Sequence, residues 1–111
     1  MQQVHLAPEL HRVNGAWYIY FAGAEHEFEP NGMPTHRMFV LENTDADPTT
    51  DNWVEKGQIV TPMDSFSLDA TTEVIDGVQY LVWAQKDYDI PGNSNLYIAP
   101  MANRGRWPLI R

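Results

Sequence analysis

Short runs rich in aromatic and β-branched residues along this 111-residue chain are broken at short intervals by glycine, proline, asparagine and aspartate. Runs of that kind between turn residues predict strands joined by turns. Residues 9–13 lead into Asn14-Gly15, a dipeptide that accepts positive φ and suits a type I′ hairpin turn. The return strand, 16–22, reads AWYIYFA and is rich in aromatic residues. A loop over 23–35 follows, punctuated by Gly23, Pro30, Asn31-Gly32 and Pro34. Residues 37–42 read as a third strand, Asp45-Ala46-Asp47-Pro48 as a turn, and 53–60 as a fourth strand bent at Gly57. The pattern then restarts: a strand over 67–75, a turn at Asp76-Gly77, its partner over 78–85, a loop with Pro91, Gly92 and Asn93, and a strand over 95–99. No segment of ten residues carries a helical period, so the chain is read as all-β.

The restart is an internal repeat. An offset of 62 aligns Val13-Asn14-Gly15 with Ile75-Asp76-Gly77, and Tyr18-Ile19-Tyr20-Phe21-Ala22 with Tyr80-Leu81-Val82-Trp83-Ala84. An offset of 58 aligns Met38-Phe39-Val40 with Leu96-Tyr97-Ile98. Repeated antiparallel sheets of up to four strands build β-propellers. Two similar hairpins also suit a β-sandwich, and the repeat alone leaves both open.

Composition changes this picture in a few places. Hydrophobic residues make up 43% of the chain and charged residues 20%, which suits a globular fold rather than disorder. A chain of this size buries only about two-thirds of its unfolded surface, so its core margin is thin. Fifteen acidic residues against seven basic ones give a formal charge of −8, which repels a phosphate backbone and argues against nucleic-acid binding. With no cysteine there are neither disulfides nor thiolate metal sites. No apolar run is long enough for a spanning helix, and no membrane partner is expected. MQQVHLAPEL does not read as a signal peptide, which leaves localisation open.

Candidate chemistry is sparse. Asp45, Asp47 and Asp51 have the beginning of a calcium loop, but the glycine and distal glutamate of an EF-hand are missing and Lys56 stands at the twelfth position. Glu25-His26-Glu27 lacks the second histidine of a zinc-protease helix. Asp69 stands out as an acid between Leu68 and Ala70, just ahead of the strand segment 71–75. On the residues alone it is also readable as an Asx-type turn. Trp83 matches Phe21 in the repeat, a symmetry that favours core packing over sugar stacking.

Several segments, in order, resemble family 43 of the glycoside hydrolases. Ala7-Pro8-Glu9-Leu10-His11, Asn14-Gly15, Trp17-Tyr18-Ile19-Tyr20-Phe21 and His36-Arg37-Met38-Phe39-Val40-Leu41-Glu42-Asn43 look like its second blade. Phe66-Ser67-Leu68-Asp69-Ala70-Thr71-Thr72, Tyr80-Leu81-Val82-Trp83-Ala84-Gln85-Lys86 and Gly92-Asn93-Ser94-Asn95-Leu96-Tyr97-Ile98-Ala99 look like the third, nearest the α-L-arabinofuranosidase branch. The resemblance spans roughly residues 4–103 and implies a partial five-bladed β-propeller over 1–111. About two four-stranded antiparallel blades are expected, as units over 4–62 and 63–103 with a divergent tail over 104–111.

Family members are inverting glycosidases in which one carboxylate activates water and a carboxylic acid protonates the leaving oxygen. The resemblance makes Asp69 the third carboxylate, which orients the acid and keeps its pKa high. It implies terminal α-L-arabinofuranosyl residues of plant cell-wall oligosaccharides or polysaccharides as substrate. Glu9, His36, Leu68 and Asn93 are the further candidates for substrate binding, each also readable as a structural residue. No cofactor is expected, although a structural calcium in a complete propeller stays open.

Two departures stand out: Leu6 occupies a place commonly held by tryptophan, and Asn103-Arg104-Gly105-Arg106-Trp107 replaces a blade-closing Asn-Pro-Trp-Thr. The base is expected ahead of residue 1 and the acid beyond residue 111, so the isolated chain is expected to be inactive. Bare sheet edges and faces should also make it self-associate. The alternative from another class is a non-catalytic sugar-binding or interaction segment.

Overall fold

The computed structural model describes residues 4–24 and 35–101. They form seven strands: β1 (Val4–Val13), β2 (Ala16–Ala24), β3 (Arg37–Asn43), β4 (Val54–Gln58), β5 (Ser67–Ile75), β6 (Val78–Gln85) and β7 (Asn95–Pro100). The order is β1-β2-β3-β4 in one sheet and β5-β6-β7 in the other, every pair antiparallel. The chain is all-β, two antiparallel sheets one after the other along the sequence. Its second sheet has three strands among the described residues where four were expected. Residues 102–111, like the Glu25-His26-Glu27 segment, lie outside the described residues.

Both hairpins turn as their dipeptides predict. Asn14 and Gly15 have φ of 52° and 83°, Asp76 and Gly77 of 51° and 79°, so both central residues are left-handed as a type I′ turn requires. Several strand ends differ from the sequence reading: β2 runs to Ala24 rather than 22, β4 stops at Gln58 rather than 60, and β3 and β7 each extend one residue further. β1 begins at Val4 rather than at residue 9, because a bulge between Leu6 and Glu9 carries Ala7-Pro8 within the strand. β4 begins after Trp53, whose indole Nε1 donates to the Pro48 carbonyl oxygen (3.1 Å) and so belongs to the preceding turn. The bend foreseen at Gly57 is present: the ladder shifts register between Val40 and Leu41, and Gly57 has φ of 95°.

The core lies between the sheets. Val13, Ala16, Tyr18, Tyr20, Met38 and Val40 of the first sheet meet Ala70, Leu81, Trp83 and Ala99 of the second, with Ile59 and Met101 closing the sides. Alternation along β2 buries Tyr18, Tyr20 and Ala22 and leaves Trp17, Ile19 and Phe21 half-buried on the outer face. The repeat thus has opposite consequences in its two copies. Leu81 and Trp83 face the core, while their counterparts Ile19 and Phe21 face away from it. The first sheet packs with one face of the repeat and the second sheet with the other. Trp83 is 3% exposed and stacks on Tyr97, which confirms core packing rather than a sugar platform.

Candidate functional site

Asp69 sits in an irregularity of β5. Pairing with β6 shifts register between Leu68 and Thr71, and Asp69 has φ of 59°. A β-bulge interrupts the alternation of a strand and re-aims the side chain it carries. Aspartate tolerates the left-handed region better than most residues. The same bulge occurs in β1, where Ala7, the counterpart of Asp69 in the 62-residue repeat, has φ of 50°. Since alanine gains nothing chemically from that conformation, the bulge is architectural and common to both sheets. The carboxylate is what distinguishes the second. Asp69 is exposed, and no other described residue hydrogen-bonds or pairs with it.

Strand register brings the starts of β3 and β5 and the end of β6 to one end of the molecule. The Ser67 amide donates to the His36 carbonyl oxygen (2.9 Å), joining the two sheets beside Asp69. His36 itself is 5% exposed, and among the described residues its Nε2 has no hydrogen-bond partner. Arg37 donates through Nη1 to the carbonyl oxygens of Thr35 and His36 and pairs through Nη2 with Asp64 (3.2 Å). Leu68 is half-buried next to Asp69 and pairs with Ala84.

Beyond β6, the buried Lys86 donates from Nζ to the carbonyl oxygens of Ile90 and Gly92. That fastens the loop on which Asn93 is exposed. Behind it, Gln85 is fully buried, accepts from Trp83 Nε1 (2.8 Å) and donates to the Met63 and Ser65 carbonyl oxygens (2.9 and 3.3 Å). The linker between the sheets is thereby held against the strand end that frames Asp69.

Glu9 lies on the seam between the innermost strands. Its Oε1 accepts from Thr71 Oγ1 (2.8 Å) and lies 2.8 Å from His11 Nε2, which is itself 3.3 Å from Thr71 Oγ1. The Thr71 hydrogen bond does most to hold the Glu9 carboxyl below its ordinary pKa; partial desolvation opposes it, and His11 adds to it. The geometry makes Glu9 a clamp between β1 and β5. The sequence reading missed Thr71 and His11 as its partners. The available signal was the spacing: Glu9 and Thr71 are 62 residues apart, equivalent positions of the two repeats.

Replacing Thr71 with valine should remove on the order of 1 kcal/mol, the net worth of such a bond. Because the carboxyl's pKa is lower folded than unfolded, this part of the stability is present above its unfolded pKa. It is lost as pH falls through the folded value. Denaturant titrations at neutral and acid pH should therefore show a smaller acid loss in Thr71→Val than in the parent. An equal loss would remove Glu9 from the seam's pH response.

The turn carrying Asp45 and Asp47 uses its own carboxylates. Asp45 accepts from Thr50 Oγ1 and Asn52 Nδ2 (both 2.7 Å), and Asp47 from the amide and hydroxyl of Thr49, so these carboxylates are occupied by their own turn. Among the described residues no cluster of three or more histidine or acidic side chains is placed to hold a metal. A cavity of about 420 Å³, lined by Asn14, Val74, Gly77, Val78, Gln79 and Met101, opens at the hairpin-turn end, away from Asp69.

Comparison with known proteins gives a consistent result. The model of the family described as "Glycosyl hydrolases family 43" matches residues 1–107. An extracellular exo-alpha-(1->5)-L-arabinofuranosidase of Streptomyces avermitilis is 50% identical over 97 residues, 87% of this chain and 19% of that protein. Alpha-L-arabinofuranosidase 43 of Humicola insolens is 52% identical over 98 residues, again 87% of this chain and 19% of its own length. The crystal structure of alpha-L-arabinofuranosidase from Lactobacillus brevis superposes with a TM-score of 0.85 at 53% identity, covering 89% of this chain and 31% of that one. The chain thus spans about a fifth of the length of these curated relatives.

Proposed function

This chain belongs to glycosyl hydrolase family 43, and we propose that it supplies two adjacent blades and one active-site carboxylate, Asp69, to a five-bladed α-L-arabinofuranosidase. The observation that carries this reading is the pair of matching bulges. Both innermost strands bend at the same repeat position, and only the second places an acid there, exposed and unengaged by the described residues. A bulge at the end of an inner strand aims that acid toward the propeller axis, where all blades contribute to one pocket.

In the reaction an inverting glycosidase performs, one carboxylate takes a proton from the attacking water while a carboxylic acid gives its proton to the departing oxygen. Asp69 would serve beside the acid. Its negative charge disfavours ionisation of a neighbouring carboxyl and so keeps that group protonated. Leu68 and Asn93 would flank the sugar at the same end. His36 would support the pocket from beneath, and Glu9 would act through the seam. The substrate class is terminal α-L-arabinofuranosyl residues of plant cell-wall glycans, in line with the names of the relatives. We assign neither the base nor the acid to any residue of 1–111, and expect the chain alone to lack turnover.

Trp83 and Tyr97, packed together in the core, offer no platform for sugar binding without catalysis. Phe21 stacks on Phe39, Trp83 on Tyr97, and Arg12 covers Trp17, so these rings are engaged within the sheets.

A segment exchange tests the proposal. The matched region of the Streptomyces avermitilis arabinofuranosidase is replaced by its counterpart from this chain, and release of arabinose from an aryl α-L-arabinofuranoside is followed. The chimera should be active and the 111-residue chain inert. A folded but inactive chimera, or turnover by the chain alone that Asp69→Asn abolishes, would each overturn the assignment.

A further inference from the structure

We propose that Glu9 and Thr71 are positioning residues for Asp69, so that the first sheet, through its own bulge, holds the carboxylate that the second sheet carries. The inference deepens the proposed function, since it rests on Asp69 being an active-site carboxylate. It begins with what a bulge leaves loose. Two residues of β5, Asp69 and Ala70, stand opposite one residue of β6, Trp83, because Leu68 pairs with Ala84 and Thr71 with Val82. A bulged residue is left out of the ladder, so pairing with β6 does not by itself fix where Asp69 aims. A non-glycine residue in the left-handed region persists where its surroundings over-determine it, and Asp69 has φ of 59°.

Three contacts bracket the bulge. Ahead of it, the Ser67 amide donates to the His36 carbonyl oxygen (2.9 Å). Within it, Ala70 is packed in the core at 3% exposure. Beyond it, Thr71 Oγ1 donates to Glu9 Oε1 (2.8 Å). Thr71 is the residue at which the β5 ladder resumes, two positions from Asp69. Glu9 is the residue at which the β1 ladder resumes, since Leu6 pairs with Ala22 and Glu9 with Tyr20. The bulge-closing residues of the two sheets are thus bonded to each other.

The two ends of that bond differ in stiffness. Ala7-Pro8, the counterpart of Asp69-Ala70, contains a proline whose ring fixes its φ, so the first bulge is the more rigid of the two. Glu9 also has a second partner on its own strand, His11, whose Nε2 lies 2.8 Å from Oε1. The His11 ring in turn meets the fully buried Tyr20 edge-on, with ring centroids 5.6 Å apart. The first sheet therefore presents an anchored accepting oxygen to Thr71. The threonine hydroxyl passes that setting to the backbone beside Asp69, where a bulge without such a tie is free to shift.

Two measurements test this, one on the chain and one on the chimera. In the 111-residue chain the Asp69 amide should have a nuclear-relaxation order parameter of about 0.85, as in rigid backbone, and Thr71→Val or Glu9→Ala should lower it toward about 0.6. Thr71→Ser, which keeps the hydroxyl, should restore it. In the chimera, Thr71→Val should lower kcat on an aryl α-L-arabinofuranoside by up to about 10²-fold, the cost associated with a misplacement of about 1 Å. Its KM should change little, and the alkaline limb of its rate profile should move in the same direction as in Asp69→Asn. Added to Asp69→Asn, Thr71→Val should cost no further kcat, because no carboxylate remains to be positioned. Variants that lose stability while the order parameter and the alkaline limb stay in place would overturn the proposal. So would a Thr71→Ser chain that behaves like Thr71→Val. An Asp69→Asn chimera with unaltered kcat would strike the active-site reading instead, and the order parameter would still decide whether the seam holds Asp69.

Discussion

Replacing Asp69 with asparagine, in the chimera or in any complete propeller carrying these two blades, should lower kcat on an aryl α-L-arabinofuranoside by about 10²- to 10⁴-fold, the range associated with general acid–base assistance. Asparagine is nearly the same size and accepts the left-handed backbone at φ 59°, so the bulge survives. The exposed position should keep the change in stability within about 0.5 kcal/mol. What is lost is charge. Without a carboxylate beside it, the general acid ionises more readily, and its pKa falls toward the ordinary carboxyl value. The high-pH side of the rate profile, where the acid has lost its proton, should therefore move to lower pH. Unaltered kcat with an unmoved alkaline limb would remove Asp69 from the active site. Asp69→Val provides a contrast: a β-branched residue at this φ carries strain of about 1–3 kcal/mol, so it should lose stability as well as rate.

Trp83→Ala is expected to have the largest effect on stability, about 3–5 kcal/mol. The indole is 3% exposed, stacks on Tyr97 at 5.7 Å, and donates to Gln85 Oε1, whose own amide holds the linker carbonyl groups of Met63 and Ser65. Truncation opens a cavity and leaves a buried amide oxygen without its donor. Domains of this size are stable by only about 5–15 kcal/mol, so the variant should unfold at a much lower denaturant midpoint. Trp83→Phe separates the two contributions. It keeps most of the stack and loses only the hydrogen bond, with an expected cost of about 1–3 kcal/mol from the unpaired oxygen. A cost below 1 kcal/mol for Trp83→Ala would show that the ring lies outside the cooperative core.

Much of the architecture was legible in the residues. The two dipeptides with positive-φ preference placed both hairpin turns, and the 67–75 and 78–85 strands were read with their observed limits. Gly57 was read as a bend because a glycine inside a strand pattern signals one. The first strand was read only from residue 9, after Ala7-Pro8. The bulge that keeps β1 continuous is a matter of pairing with β2, and Pro8 shows no trace of it. For the site, the identity of Asp69 and its acidic chemistry were legible. Its left-handed backbone and its exposed carboxylate were not, since both arise from the register shift against β6.

His36 and Glu9 show the same division. As polar residues near a loop and in a motif they were candidates for touching a sugar. Packing instead buries His36 beneath the joint with Ser67 and ties Glu9 to Thr71 across the seam. The sequence by itself determined the all-β class, the turns, the repeat and its 62-residue spacing, because strand propensity and turn preference act over a few neighbouring residues. Only the tertiary structure decided which face of each repeat is covered. Equivalent residues such as Phe21 and Trp83 carry the same local signal, and one is buried because another sheet lies against it while the other looks outward.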